Sequence, residues 1–177
     1  CGRFVITYNG EIYNHLELRS DLQQRGATFR GQSDTETIVT ALSEWGIAST
    51  IERCTGMFAM AVWDTREQAL TLIRDRLGIK PLYYGVSNGC LLFGSELKAL
   101  RAHPAFDAEL NHGAISRFLQ HSYVPAPHSI YSCFRKLPAG NSMTISSSNR
   151  LTSNTDLPAV DVWWDAKSVA ERSLANP

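Results

Sequence analysis

The sequence predicts an α+β fold in which helices cover layered sheets. Two observations carry this. A strand-like segment is followed by two helical segments and then by several more strand-like ones. The apolar run over residues 57–63 is unbroken, as expected of a strand covered on both faces.

The elements follow in order. Residues 4–8, Phe-Val-Ile-Thr-Tyr, read as the first strand. Asn14 with Glu17 three residues on has the form of a capping box, so a helix starts there and stops at Gly26. Ser33 and Glu36 repeat the signature, Ile38, Leu42 and Trp45 follow at helical spacing, and Gly46 ends that helix. The run 57–63 lies between Gly56 and Asp64. Residues 69–73, 82–86 and 90–93 read as further strands, with Ser87-Asn88-Gly89 turning between the last two. Asn111 caps a short helix reaching Leu119. Residues 146–161 are rich in Ser, Thr and Asn and read as a flexible loop or hairpin tip. A short helix is expected over 166–174.

A chain of 177 residues with 44% hydrophobic content suits one ordinary globular domain. Seventeen basic and seventeen acidic residues cancel, which argues against a nucleic-acid or membrane-surface partner recruited by net charge. The run 57–63 is too short to cross a bilayer. Cys1, Cys54, Cys90 and Cys133 form no C-x-x-C pair and no zinc spacing, so no metal site is expected. Isolated thiols fit a reducing, cytoplasmic setting. Cys54 and Cys90 flank apolar segments and are expected in the core. Trp45, Trp63, Tyr83 and Tyr84 are also read as core. His15, His103, His112, His121 and His128 show no spacing for a metal or a triad and are read as surface or capping residues. Gly78 and Lys80 lack the spacing of a phosphate-binding loop.

Chemistry gathers at Asn9-Gly10-Glu11, where the first strand ends. Asn9 can donate through its amide. Gly10 lets a ligand approach the backbone and leaves its own N–H free. Glu11 brings negative charge. These parts can hold an oxyanion and an ammonium side by side. The plainer alternative is a turn with a solvated acid. Asp34 stands in the first turn of a helix, where any carboxylate favours the dipole. Arg74-Asp75-Arg76 with Lys80 reads as a buried or interdomain ion-pair network rather than an anion site.

Six motifs in register widen the picture: Asn9 to Asn14, Ser33-Asp34-Thr35-Glu36, residues 74–84, Phe93-Gly94-Ser95-Glu96-Leu97-Lys98-Ala99-Leu100, Tyr123-Val124-Pro125-Ala126-Pro127 and Arg135-Lys136-Leu137-Pro138-Ala139-Gly140. Together they resemble the glutamine amidotransferase domain of glutamine-dependent asparagine synthetases. A weaker match follows at Val162-Trp163-Trp164-Asp165. The resemblance implies the four-layer αββα sandwich of N-terminal-nucleophile hydrolases, incomplete at its N-terminus. It implies a partial amidotransferase domain over 1–145, the loop 146–161, and a junction over 162–177 toward a missing synthetase domain. It implies that Asn9 and Gly10 form an oxyanion hole, and that Glu11 and Asp34 bind glutamine. The partners it implies are glutamine and that C-terminal domain of the same polypeptide, with a homodimer left open. No cofactor is expected in this stretch. ATP and Mg are expected in the synthetase domain, where aspartate is amidated.

In this family the nucleophile is an N-terminal cysteine followed by glycine. Cys1-Gly2 invites that assignment, but the eight residues from Cys1 to Asn9 span roughly 26 Å when extended. Cys1 is therefore read as an accidental first residue of a truncated chain, inactive alone and prone to expose a strand edge. The rival readings are a small intact hydrolase using Cys1, an amidotransferase acting on another carboxylate, and a non-catalytic glutamine-binding or scaffold module.

Overall fold

The computed structural model describes residues 2–175; Cys1, and with it its assignment as nucleophile or bystander, lies outside them. The chain builds two antiparallel sheets. The first contains β1 (Phe4–Ile12), β2 (Gly56–Asp64), β3 (Ala69–Arg74), β7 (Asn141–Ser146) and β8 (Asp161–Val162), in the order β1-β2-β3-β7-β8. The second contains β4 (Tyr83–Ser87), β5 (Cys90–Gly94) and β6 (Phe134–Lys136), with β4 in the middle.

The unbroken apolar run of β2 is explained by its two buried faces. Phe58, Met60 and Val62 point to one core, with Ile38, Leu42 and Ile51. Ala59 and Ala61 point to another, with Leu82, Tyr84 and Met143. Small side chains on that second face let the other sheet come close. The first core lies under α1 (His15–Gln24) and α2 (Asp34–Arg53). On the far side of the second sheet, Leu92 and Phe134 pack with Leu97 and Leu100 of α3 (Leu97–Arg101). The result is the helix–sheet–sheet–helix layering that the resemblance implies. Two more helices, α4 (His112–His121) and α5 (Ala166–Ala175), lie further along the described residues. Phe58 is 1% exposed and Trp163 stacks on it at 6.2 Å, which fastens the 162–165 segment to the helical core.

Several local expectations change. β1 does not stop at Tyr8 but carries Asn9, Gly10 and Glu11 as strand residues to Ile12. Asn14 makes no side-chain cap; its amide donates to Arg53 O at 3.0 Å and accepts from Thr55 N at 2.9 Å, clasping the α2–β2 junction. Ser33 Oγ does accept from Glu36 N, but the Glu36 carboxylate turns to the amides of Arg30 and Gly31, so only half a capping box forms. Gly46, at φ 77°, kinks α2, and helix resumes to Arg53. Cys90 is exposed because it begins β5 at a hairpin tip, whereas Cys54 is buried. The stretch 146–161 carries a 3₁₀ turn, and Asn154 bonds both Val86 N at 2.8 Å and Cys133 O at 2.7 Å.

The charges after β3 form no ion-pair network. Arg74 donates instead to the carbonyls of Gly78, Lys80 and Leu137. Asp75 is 1% exposed and accepts from the amides of Phe58, Leu77, Ile79 and Lys80. Neither takes part in an ion pair among the described residues. A buried charge needs partners, and here backbone dipoles supply them.

Candidate functional site

β1 is an edge strand with β2 as its neighbour. On the β2 side, Arg3 O accepts from Thr65 N and Tyr13 N donates to Thr55 O. In an antiparallel ladder the alternate residues then turn their N–H groups away. Gly10, paired in register with Phe58, is one of these, so its N–H points to the free edge. A side chain at Gly10 would not fit: a Cβ there would sit 2.2 Å from Met57 O and 2.7 Å from Phe58 Cα. The close approach of β2 accounts for the glycine.

The side chains of β1 divide by alternation. Phe4, Ile6, Tyr8 and Ile12 join the helical core. Asn9 and Glu11 lie on the other face and are exposed. There Asn9 Nδ2 donates to Ser95 Oγ at 2.9 Å, reaching from the first sheet to the end of β5. Asn9 and Ser95 share the wall of a small cavity of about 130 Å³, whose floor is Ala59, Ala61, Leu82 and Phe93.

Asp34 reaches the same strand over its free edge. Its Oδ2 accepts from Tyr8 Oη at 2.8 Å and from Ile12 N at 3.2 Å, and its Oδ1 accepts from Thr35 N at 2.7 Å and from Thr35 Oγ1 at 3.4 Å. Ile12 N is one peptide link from Glu11, so the Asp34 carboxylate stands within about 6 Å of the Glu11 Cα. Burial opposes the Asp34 charge, but the bonds from Tyr8, Ile12 and Thr35 outweigh it and hold its carboxyl below the usual range. Burial, then the bond to Asp34, pushes the Tyr8 phenol well above its ordinary value, so it remains a donor.

Asn9, Gly10, Glu11 and Asp34 are thus gathered at one end of β1, with Asp34 arriving from the helical side and Asn9 and Glu11 facing the second sheet. Sequence reasoning assigned no role to Tyr8 or Ser95. Ser95 lay inside a quoted motif, but its reach to Asn9 depends on how the sheets stack. His15, read as a surface or capping residue, is half-buried as the first residue of α1, and its positive form would favour the Asp34 charge. The described cysteines are no part of this site. Burial pushes the Cys54 thiol up to about 12, and Cys90 and Cys133 lie outside the cavity. Among the described residues no three His, Cys, Asp or Glu side chains gather to hold a metal ion, and no helix is long and apolar enough to cross a membrane.

Residues 1–155 match the family described as glutamine amidotransferase domain. Asparagine synthetase (glutamine-hydrolysing) 1 of Bacillus subtilis is 34% identical over 152 residues, 86% of this chain and 24% of that protein. Asparagine synthetase (glutamine-hydrolysing) 3 of the same organism is 42% identical over 113 residues, 64% of this chain and 18% of its own length. The chain therefore spans about a quarter or less of these curated relatives. Among solved structures, the glutamine phosphoribosylpyrophosphate amidotransferase of B. subtilis superposes with a TM-score of 0.64 at 17% identity, over 91% of this chain and 29% of that one. That likeness shows a shared fold, the helix–sheet–sheet–helix layering described above.

Proposed function

The chain belongs to the glutamine amidotransferase domain family, and from that premise we propose that it is the glutaminase part of a glutamine-dependent asparagine synthetase. The observation that carries this is the end of β1, where the Asn9 amide, a free-edge backbone N–H, Glu11 and the Asp34 carboxylate lie within a few residues of one another. In this reading a cysteine thiolate of the natural protein attacks the side-chain carbonyl carbon of glutamine. Charge moves onto the carbonyl oxygen, where Asn9 Nδ2 and the Gly10 N–H receive it. The amide nitrogen takes a proton and leaves as ammonia. Water then cleaves the thioester to glutamate. Glu11 and Asp34 hold the α-ammonium, which selects free glutamine over an amide within a peptide. Asp34 suits this because its carboxylate is half-exposed and is held at the free edge of β1 by Tyr8, Ile12 and Thr35.

The ammonia is consumed in the amidation of aspartate by a synthetase domain of the same polypeptide. ATP and Mg belong to that domain in this reading. The chain by itself is proposed to be inactive, since no described thiol lines the site. The unpaired thiols suit a cytoplasmic setting.

The test uses the natural full-length protein with amide-labelled glutamine, aspartate and ATP. Label should appear in asparagine. Asn9→Ala should lower glutamine-dependent synthesis by about 10²–10³ and leave synthesis from free ammonia intact. Label transferred to a different carboxylate would replace aspartate as the acceptor, and full glutaminase turnover in Asn9→Ala would remove the oxyanion hole from the reading.

A further inference from the structure

The bond between Asn9 and Ser95 has a role of its own. We propose that Ser95 is a positioning residue for glutamine hydrolysis, holding the Asn9 amide in the plane from which it meets the developing oxyanion. The inference rests on the glutaminase reading above.

Asn9 is exposed and stands on an edge strand, and Ser95 is the partner its Nδ2 finds, at 2.9 Å. The two N–H bonds of an amide nitrogen lie in one plane and diverge by about 120°. With one fixed on Ser95 Oγ, the direction of the other is set as well. A donor fixed before the reaction needs no reorganisation when charge develops, which is where an oxyanion hole has its advantage over water. Left alone, an exposed carboxamide would rotate about its side-chain torsions and present its oxygen, an acceptor, as often as its nitrogen.

The position of Ser95 is itself well anchored. It follows Gly94, which pairs with Tyr83 at the end of the β4–β5 ladder. It precedes α3, whose Leu97 and Leu100 are packed against the outer face of the second sheet. Ser95 is half-buried at the mouth of the small cavity, so its hydroxyl is less open to exchange with water than the Asn9 amide. The bond thus transfers the rigidity of one sheet to a functional group on the free edge of the other.

The experiment compares Ser95→Ala, Ser95→Thr, Ser95→Cys, Asn9→Ala and the Asn9→Ala/Ser95→Ala pair in the natural full-length protein. Glutaminase kcat and KM, ammonia-dependent synthesis and melting temperature are measured. So is the affinity of the γ-aldehyde of glutamate, which adds the catalytic thiol to give a tetrahedral adduct. Ser95→Ala should lower glutaminase kcat roughly tenfold, less than the about 10²–10³ lost with the donor itself. KM and the ammonia-dependent rate should stay within twofold, and aldehyde affinity should fall with kcat. Threonine keeps the hydroxyl and should restore turnover. Cysteine keeps the size but accepts weakly and should follow alanine, which leaves a second variant if alanine folds poorly. The double variant should be no slower than Asn9→Ala. Unchanged kcat in both Ser95→Ala and Ser95→Cys, beside a collapse in Asn9→Ala, would overturn the role of Ser95 and keep the glutaminase reading. Equal losses of glutamine- and ammonia-dependent rates with a lowered melting temperature would assign Ser95 to the fold. An unaffected Asn9→Ala would instead overturn the reading beneath both.

Discussion

Asp75 and Asp34 are both carboxylates received by backbone amides beside an edge or turn, yet their surroundings differ. Asp75 is 1% exposed and takes four backbone amides across both oxygens. Its hydrogen-bonding capacity is spent on shaping the 74–80 loop. Asp34 accepts as many bonds, but two of them come from the hydroxyls of Tyr8 and Thr35, and its carboxylate is half-exposed. Asn9 and Glu11 beside it are exposed as well. The difference lies in exposure and in the donors: a carboxylate open to solvent and held partly by hydroxyls can still meet a ligand, whereas one enclosed by buried backbone amides is a structural joint. Residue type alone does not separate them.

The comparison can be broken first at its structural end. Asp75→Ala should leave buried amides without acceptors and cost at least about 3 kcal/mol, since each orphaned group costs about 1–3 kcal/mol. Chemical denaturation of the natural protein reads this, and a loss below about 1 kcal/mol would show that water replaces the carboxylate. Next is Gly10→Ala. Its Cβ would meet the Met57 carbonyl, so β1 must shift, at a cost of about 1–3 kcal/mol. Glutamine-dependent activity should fall far more than ammonia-dependent activity. Parallel losses would mean that the glycine serves packing alone.

Asp34→Asn sharpens the other end. The amide oxygen can still accept from Tyr8 and Ile12, so the melting temperature should change little. Losing the charge should raise the KM for glutamine roughly tenfold with ammonia use unaffected. A large drop in stability with an unchanged KM would move Asp34 into the class of Asp75. The smallest effect concerns Asp64, far along the same strand pair. The hydrogen bond from Arg3, against burial and with help from the Arg66 and Glu67 amides, holds its carboxyl down at about 2. Its unfolded value is about 3.9. The folded value is the lower one, so the contribution is full above about pH 4 and is lost as pH falls through about 2. The Arg3 side chain is 30% accessible, so solvent weakens the pair. Acid unfolding of Asp64→Asn should show a slightly flatter pH dependence in that window, and identical curves would remove the pair from the stability account.

The layered fold was legible because β2 shows its two buried faces as an unbroken apolar run. β6 and β7 were not legible. Phe134-Arg135-Lys136 offers one apolar residue, and β7 alternates Met143 and Ile145 with Ser142 and Thr144, where Thr144 bonds Thr71 across the ladder. The extension of β1 past Tyr8 was hidden for a related reason. Asn, Gly and Glu are weak strand formers, and pairing with β2 from Asn9↔Ala59 to Ile12↔Gly56 overrides that preference. At the site, Asn9, Gly10, Glu11 and Asp34 were named from motif and resemblance. Tyr8 and Ser95 were not, because their roles are contacts between segments 26 and 86 residues apart. The partners of Arg74 and Asp75 were misread for want of backbone groups, which a sequence does not display.

Asn154 lies in the stretch that reads as a loose polar linker, yet its carboxamide meets Val86 N on one side and Cys133 O on the other. Those two residues would be the next rung of the β4–β6 ladder, beyond Gly85↔Phe134. A side-chain amide has the same donor and acceptor as a peptide link. Asn154 therefore stands in for a length of main chain that β6 does not possess. The second sheet borrows its last rung from a distant part of the polypeptide, and one letter of a polar stretch closes the end of a strand it does not belong to.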